Sequence, residues 1–249
     1  MSSFNLIARY YNRMTGFPAR IARLTESVAP WVSEWNVREA LDAGCGNGVL
    51  LFALQKLGVR AVGIDVAEPM LRLTLDNARE RGVTVDIRSA SYESLGGLFP
   101  SRFDAVFALG NGLVGAANER EMTAWLKGLH DSLRPGGHVL IQMLNLIPFL
   151  KGQKSLIMRR SVDGVTFTRF AKPAANRPGL IFCLTIEGPE EQFDAHVSHW
   201  PAWDWRRVGG CAAEAGFASI QILGSLARDP FDERTSTDLV IVAERSGRT

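Results

Sequence analysis

The 249-residue sequence is poor in cysteine and has no long apolar run. It holds only three cysteines, Cys45, Cys183 and Cys211, which are too few and too scattered for a disulfide framework or a zinc site. We therefore predict no metal site and a reducing, cytoplasmic location. No apolar run reaches the roughly 18 residues that a membrane span needs. The N-terminus also lacks the apolar region of a signal peptide, so we expect no contact with a membrane.

A strong excess of charge is also missing. The formal net charge is +2 at pH 7, and 22% of the residues are charged, so nothing suggests electrostatic capture of nucleic acid or of an anionic membrane. With 46% hydrophobic residues, the chain can bury a sizeable core. We predict one domain over residues 1–249, with an insertion at about 150–200, and a small-molecule partner. The composition does not indicate the oligomeric state.

Glycine, by contrast, is concentrated in the stretch EALDAGCGNGVLLFALQ, Glu39–Gln55. The pattern predicts a buried strand that ends near Asp42, a turn that contains Gly44, Cys45 and Gly46, and then a helix. Glycines let the backbone bend sharply and approach a ligand closely. Ligands of open α/β sheets bind outside the carboxyl ends of the strands, so this turn is a candidate binding site; a turn shaped only by packing is the alternative.

The turn departs from the dinucleotide fingerprint, which would need a glycine where the chain has Val49. The next predicted strand ends at Asp65, 21 residues after the first glycine of the turn. An acidic residue at that point can accept hydrogen bonds from both hydroxyl groups of a ribose. The pair of features therefore indicates a nucleoside-containing ligand.

Alternating helix and strand patterns predict helices on both faces of a parallel sheet. Residues 155–199 break this alternation with β-prone runs around an Asp-Gly turn, which indicates an antiparallel insertion over the site. Helical periodicity also covers residues 4–35, with a break at Gly16. The predicted parallel strands are 37–42, 59–65, 83–89, 103–109 and 137–144, the helices between them are 48–57, 67–82 and 118–133, and two last strands are 217–223 and 237–243.

Four blocks in this order and spacing resemble the class I S-adenosylmethionine-dependent methyltransferases: D-A-G-C-G-N-G, V-G-I-D-V-A-E-P-M-L, F-D-A-V-F-A-L-G-N and L-R-P-G-G-H-V-L-I-Q. The similarity covers about residues 37–144 and is greatest to the glycine/sarcosine N-methyltransferase-like branch. It implies an α/β fold with a doubly wound, seven-stranded, mostly parallel Rossmann-like sheet, an antiparallel last strand and an inserted antiparallel β lid. It also implies S-adenosylmethionine as cofactor and methyl transfer to a small molecule, for which we expect an amine.

The resemblance assigns cofactor contacts to residues along these blocks. Arg20 precedes Asp42 by 22 residues, the spacing at which an arginine of that branch binds the cofactor's carboxylate, and a guanidinium pairs with a carboxylate bidentately. A solvated arginine on a helix face is the alternative. Ser91 and Tyr92 follow the third strand, where family members contact the adenine, and many members carry Asp at the position of Ser91. The expected cofactor residues are Arg20, Asp42, Gly44, Cys45, Gly46, Asp65, Val66, Met70, Ser91, Tyr92 and Leu109.

Residues for the methyl acceptor are implied by position. Asn111 lies in an L-G-N-S-like signature, with Gly112 in place of Ser, and we expect it to be catalytic because its amide would lie where the methyl group leaves. The expected substrate contacts are Tyr10, Asn111, Asn145, His196 and Trp203. For several of these a structural role is the alternative: packing for Tyr10, a helix cap for Asn145, a surface position for His196 and lid anchoring for Trp203.

The segment after the fifth strand argues against glycine as the acceptor. Glycine-methylating relatives have an arginine before the asparagine there, whereas this chain has Leu144, which cannot compensate a carboxylate. We expect an uncharged or cationic amine, unless Arg159, Arg160 or Arg169 of the insertion replaces that arginine. Two other functions stay open: a non-catalytic S-adenosylmethionine-binding accessory protein and an NAD-dependent Rossmann oxidoreductase.

Overall fold

The computed structural model describes residues 3–189 and 192–247. Its α-helices are α1 Ser3–Thr15, α2 Phe17–Glu34, α3 Val49–Lys56, α4 Glu68–Glu80, α5 Leu95–Leu98, α6 Glu119–Ser132, α7 Ile147–Leu150 and α8 Trp205–Glu214. Its strands are β1 Glu39–Ala43, β2 Arg60–Asp65, β3 Asp86–Ser89, β4 Phe103–Leu109, β5 Leu133–Leu144, β6 Leu156–Val162, β7 Val165–Pro173, β8 Leu180–Glu187, β9 Phe193–Trp200, β10 Ala218–Leu223 and β11 Asp238–Glu244.

Seven strands form the main sheet, in the order β10-β11-β5-β4-β1-β2-β3. Strands β1 to β5 pair in parallel, whereas β11 is antiparallel to both of its neighbours. The predicted fold class is thereby confirmed, including the antiparallel last strand. The strand order reverses between β1 and β4, so their carboxyl ends flank the crevice where an open α/β sheet binds its ligand.

Both faces of the main sheet are covered, which explains why its central strands are almost entirely apolar. One face packs against α2 and α3 through residues that include Trp31 and Leu54. The other packs against α6 and α8 through Leu129 and Val208. Each large apolar side chain buried in this way contributes about 1.5–3 kcal/mol to the free energy of unfolding. The loops at the carboxyl ends of the strands are therefore attached to a stable core.

Strands β6 to β9 form a separate antiparallel sheet between β5 and α8, which we call the inserted sheet. The sequence predicted its antiparallel character and approximate limits. The inserted sheet packs against α1, where Tyr10 and Met14 join Phe167 and Leu184 in one buried cluster. Helix α1 and the inserted sheet therefore form one layer.

One local prediction was wrong. The fifth strand was expected to begin at residue 137, but β5 begins at Leu133 and includes Arg134–Gly137. The Gly136 N–H donates to the carbonyl of Arg245, and the Arg245 N–H donates to that of Gly137, at 2.7 and 2.8 Å. Pairing with the chain after β11 keeps these residues extended, and the register with β4 shifts there. Within the described residues, no helix is long and apolar enough to cross a membrane.

Candidate active site

The glycine turn after β1 has a backbone that other residues rarely adopt. Gly44, Gly46 and Gly48 have φ angles of 81°, 55° and 80°, in the left-handed region that favours glycine. The N–H groups of Gly44 and Cys45 both donate to the carbonyl of Ile64 at 2.8 Å. The turn is thus held against the end of β2, directly beside the crevice.

Asp42 is a buried acid at the carboxyl end of β1. Its side-chain atom Oδ2 has no hydrogen-bond partner among the described residues. Burial, and then the charge of Asp65, raise the pKa of Asp42 to about 8, while the charge of Arg20 opposes the rise. An unpaired buried carboxylate is costly, so the ligand-free group holds its proton at neutral pH, and a ligand that supplies positive charge or a donor would stabilise the charged form.

Asp65, at the end of β2, is held by two backbone donors. Its Oδ2 accepts from the Gly46 N–H at 2.9 Å and its Oδ1 from the Ala67 N–H at 2.8 Å. Burial raises its pKa, and these backbone hydrogen bonds oppose that rise. A carboxylate has about four acceptor positions, so each oxygen keeps capacity for a ligand hydroxyl. The side chain is thus oriented before any ligand binds.

Tyr92 extends from the loop after β3 to the centre of the site. A Cβ atom on Gly44 would lie 2.5 Å from the Tyr92 hydroxyl oxygen, and one on Gly112 would lie closer still. The ring packs against Trp125, with 5.2 Å between ring centroids. Burial raises the pKa of Tyr92, so the hydroxyl stays protonated. A side chain at position 112 would therefore require the Tyr92 hydroxyl to move.

A cleft beside the glycine turn joins α2 to the ends of β1 and β4. Arg20 of α2 lies in its wall with Asp42 and Leu109, as the sequence predicted. Tyr11 lies there too and was missed; the sequence analysis selected its neighbour Tyr10. The full lining is Tyr11, Arg20, Leu24, Asp42, Gly44, Cys45, Gly46, Asn47, Val49, Leu50, Leu109 and Gln142.

The remaining predicted cofactor residues surround this cleft. Val66 and Ser91 are exposed, the first with 63% of its surface accessible. Met70 is buried, and its Cε lies 3.6 Å from where a Gly46 Cβ would be. Cys45 is buried, and burial raises the pKa of its thiol. It is therefore a packing residue and not a nucleophile.

Asn111 lies at the predicted place beyond β4. Its Oδ1 accepts from the Leu144 N–H at 2.8 Å, which ties the ends of β4 and β5 together. The side chain is fixed by this bond, and its amide NH₂ is left as the group that can donate to a ligand.

The structure gives Asn145 a structural role instead of the predicted substrate contact. It is 3% exposed. Its Nδ2 donates to the carbonyls of Glu233 and Ser236, at 3.1 and 2.9 Å, and its Oδ1 accepts from the Ile147 N–H at 3.2 Å. These bonds use both N–H groups and one acceptor position of the amide, which holds the segment before β11 against the end of β5.

Trp203 and Tyr10 are likewise structural, contrary to the predicted substrate contacts. Trp203 is 1% exposed, and its indole N–H donates to the carbonyl of Ala116 at 3.1 Å. Tyr10 turns toward the inserted sheet, where its ring lies 6.1 Å from that of Phe167, and its hydroxyl accepts from Gln192. His196 remains a candidate: it lies on the inserted sheet, and burial lowers its pKa, so it is neutral at pH 7.

Three asparagines that the sequence analysis did not identify hold α1 against the glycine turn. Asn47 Nδ2 donates to Asn12 Oδ1 at 2.9 Å, and Asn12 Nδ2 donates to Asn77 Oδ1 at 2.6 Å. Asn77 closes the ring by donating to the Asn47 carbonyl at 2.9 Å. This network places Tyr11, next to Asn12, in the cleft. No local pattern in the sequence links residues so far apart.

The reversed strand order, the glycine turn and the acid after β2 together define a Rossmann-like protein that binds a nucleoside-containing cofactor. A family model described as "Methyltransferase domain" matches residues 40–137. The "Cypemycin N-terminal methyltransferase" of a Streptomyces species is 27% identical over 86% of this chain and 87% of that protein. A "Ubiquinone biosynthesis O-methyltransferase" of Methylococcus capsulatus is 45% identical, but over only 28% of this chain and 29% of its own length.

A solved S-adenosylmethionine-dependent methyltransferase from Clostridium acetobutylicum has the same fold, with a TM-score of 0.80, 12% identity, and coverage of 98% of this chain and 99% of that one. The matched domain, the relatives and the shared fold together support a class I S-adenosylmethionine-dependent methyltransferase. The site fits that cofactor, because its two positive charges suit the unpartnered oxygen of Asp42. Gly44 and Gly46 carry no side chains that would obstruct it.

Proposed function

We propose that this enzyme transfers the methyl group of S-adenosylmethionine to an amine nitrogen of a small molecule. The observation that carries the proposal is which side chain lies beside Gly112 in the described part of the chain. The atoms nearest to a Cβ at that position all belong to Tyr92, whose hydroxyl is held protonated by burial. A hydroxyl acceptor needs a base to take its proton, whereas a neutral amine attacks through its free electron pair.

The similarity to relatives is compatible with methylation of nitrogen but does not distinguish it from methylation of oxygen. The relative aligned over most of the chain is named an N-terminal methyltransferase, whereas a shorter match is named an O-methyltransferase. The glycine/sarcosine N-methyltransferase-like branch therefore remains our proposal, as do a cytoplasmic location and a single domain in which the inserted sheet serves as a lid.

Each polar residue of the site has a proposed task. Arg20 binds the cofactor's carboxylate with its guanidinium, Asp42 faces the cofactor's positive charge, and Asp65 accepts from the ribose hydroxyls. Tyr92 bounds the site where β1 and β4 end. Asn111, fixed by Leu144, directs its NH₂ toward the reacting end.

The bound cofactor supplies a methyl group on a positively charged sulfur, open to in-line displacement. The protein's contribution is therefore mainly alignment, which is worth about 7–11 kcal/mol at best. Helix α1 and the inserted sheet shield the site from water. The acceptor's proton leaves to water after transfer, so no protein base is required.

The test is a transfer assay with acceptors that differ only in the nucleophile, such as benzylamine against benzyl alcohol and ethanolamine against ethylene glycol. S-adenosylhomocysteine formation and the product mass are measured together. We expect the amines to be methylated and the alcohols to be inert. Turnover of the alcohols alone would overturn N-methylation. Tight cofactor binding without transfer to any acceptor would instead favour the accessory-protein alternative.

A further inference from the structure

Arg169 is a charged residue in an apolar position of the inserted sheet. Side chains alternate between the two faces of a strand, and Arg169 shares its face of β7 with Phe167 and Ala171, both 0% exposed. Its register partner on β8 is Leu184, which is 2% exposed. Arg169 therefore points to the buried side of the inserted sheet, the side that contacts α1.

In the described part of the chain, this guanidinium has no ion-pair partner. Among the described residues, none of the ion pairs within 4 Å includes Arg169. The guanidinium lies over the ring of Phe182, with its carbon 5.4 Å from the ring centroid. Burial lowers the pKa of Arg169, and the positive charge of Arg20 adds to that change. Two guanidinium groups facing one site repel each other unless an anion joins them.

The cofactor's carboxylate does not satisfy both arginines. Arg20 lies in the wall of the cleft with Asp42 and Gly44, whereas Arg169 is not part of that wall. It belongs to the layer formed by the inserted sheet and α1. That layer meets the cleft at Tyr11, which lines the cleft and packs against the cluster that contains Phe167 and Leu184. The cofactor has a single carboxylate, which Arg20 is placed to bind, so Arg169 is left for a different anion.

We propose that Arg169 binds an acidic oxyanion, a carboxylate or a phosphate, of the methyl acceptor. This inference rests on the proposed function, and it names the acceptor class: a small amine that also carries an acidic group. It reverses the expectation of an uncharged or cationic acceptor, which rested on Leu144 alone. The arginine missing from the end of β5 is replaced by one from the inserted sheet, and its planar fork suits bidentate binding of either oxyanion.

The experiment compares acidic amines with the same amines lacking the acidic group, on protein saturated with S-adenosylhomocysteine. The probes are phenylalanine against phenethylamine for the carboxylate, and phosphoethanolamine against ethanolamine for the phosphate. Binding is measured by calorimetry to wild-type protein, Arg169→Met and Arg169→Lys. Arg159→Met is the matched control, because Arg159 is an exposed arginine on the neighbouring strand β6.

We expect one acidic probe to bind wild-type protein more tightly than its partner. Arg169→Met should weaken that binding by about tenfold or more, the scale of one charge-assisted pair. Arg169→Lys should recover part of the loss, and Arg159→Met should change nothing. Affinity for S-adenosylhomocysteine itself should be the same in all four proteins, which also shows that the variants are folded.

Three results would overturn the inference. One is equal binding of the acidic probes to wild-type protein and Arg169→Met, or no binding of them at all. The second is preference for the non-acidic partners. The third is a loss of S-adenosylhomocysteine affinity in Arg169→Met, which would assign Arg169 to the cofactor's carboxylate. A failure of the proposed N-methylation gives a different result. In that case wild-type protein still binds the acidic probes but does not methylate any amine.

Discussion

The hydroxyl group of Tyr92 occupies the space that a side chain on Gly112 would need. The two residues come from different loops, after β3 and after β4, and meet between the glycine turn and the reacting end of the site. A substitution at either position should therefore alter the packing at the other.

This relationship predicts a coupled effect of two substitutions. Gly112→Ala should weaken S-adenosylhomocysteine binding by about tenfold, because the new methyl group displaces Tyr92 into the cofactor site. In a Tyr92→Phe background the same substitution should cost clearly less, since the obstructing oxygen is gone. A double-mutant cycle measured by calorimetry checks this; additive losses would mean that the two residues do not constrain each other.

The buried carboxyl of Asp42 predicts a pH dependence of stability. Its pKa is raised from 3.8 to about 8, so the native protein binds this proton more tightly than the unfolded chain does. The stabilisation is fully present below pH 3.8 and is lost as the pH rises toward 8. Urea unfolding of the ligand-free protein from pH 5 to 8 should show this decline, and Asp42→Asn should flatten it. An unchanged slope in Asp42→Asn would assign the decline to other groups.

Arg20 should discriminate between two nucleosides. Arg20→Met is expected to weaken S-adenosylhomocysteine by about tenfold or more, because the carboxylate loses its charged partner. Methylthioadenosine, which lacks that carboxylate, should bind wild-type and variant equally. Calorimetry with both ligands measures the difference. A similar loss for both would mean that the substitution perturbs the cleft in general.

Asp65→Ala should weaken cofactor binding by about 1.5–3 kcal/mol, the scale of hydrogen bonds to a charged group. The loss has two sources, because Asp65 offers acceptors to the ribose and also holds the N–H groups of Gly46 and Ala67. Asp76→Ala, at an exposed position of α4, is the control. Unchanged affinity for S-adenosylhomocysteine in Asp65→Ala would contradict the role assigned to this residue.

We expect Trp203 to contribute to the stability of the fold and not to binding of the methyl acceptor. Its burial and its bond to Ala116 predict a loss of about 3–5 kcal/mol in the free energy of unfolding for Trp203→Ala. Trp205→Ala, at a less buried position, should cost less. Acceptor KM should not change in either folded variant; a rise confined to Trp203→Ala would restore its predicted substrate contact.

Local patterns were sufficient for the α/β class, the succession of strands and helices along the chain and the place of the glycine turn. The apolar strands, the left-handed glycines and the acids Asp42 and Asp65 act through short-range backbone chemistry, which a single stretch of sequence carries. The same holds for the spacing of Arg20, which the structure places in the wall of the cleft with Asp42.

Local patterns could not predict which of two neighbouring side chains faces the cleft, or which distant side chains contact each other. Helical periodicity does not say which of Tyr10 and Tyr11 faces the cleft; the asparagine network around Asn12 and the packing of Tyr10 on the inserted sheet decide it. The sequence likewise does not show that Asn145 is buried and that both of its amide N–H groups donate to backbone carbonyls.

The sequence by itself determined the fold, the cofactor and the residues of the glycine turn, because these depend on backbone conformation and on spacing along one chain segment. Only the tertiary structure decided that Gly112 makes room for Tyr92 and that Arg169 of the inserted sheet lies on its buried side, without an ion-pair partner among the described residues. Those relationships join residues from separate segments, and steric exclusion and Coulomb interactions depend on distances in space.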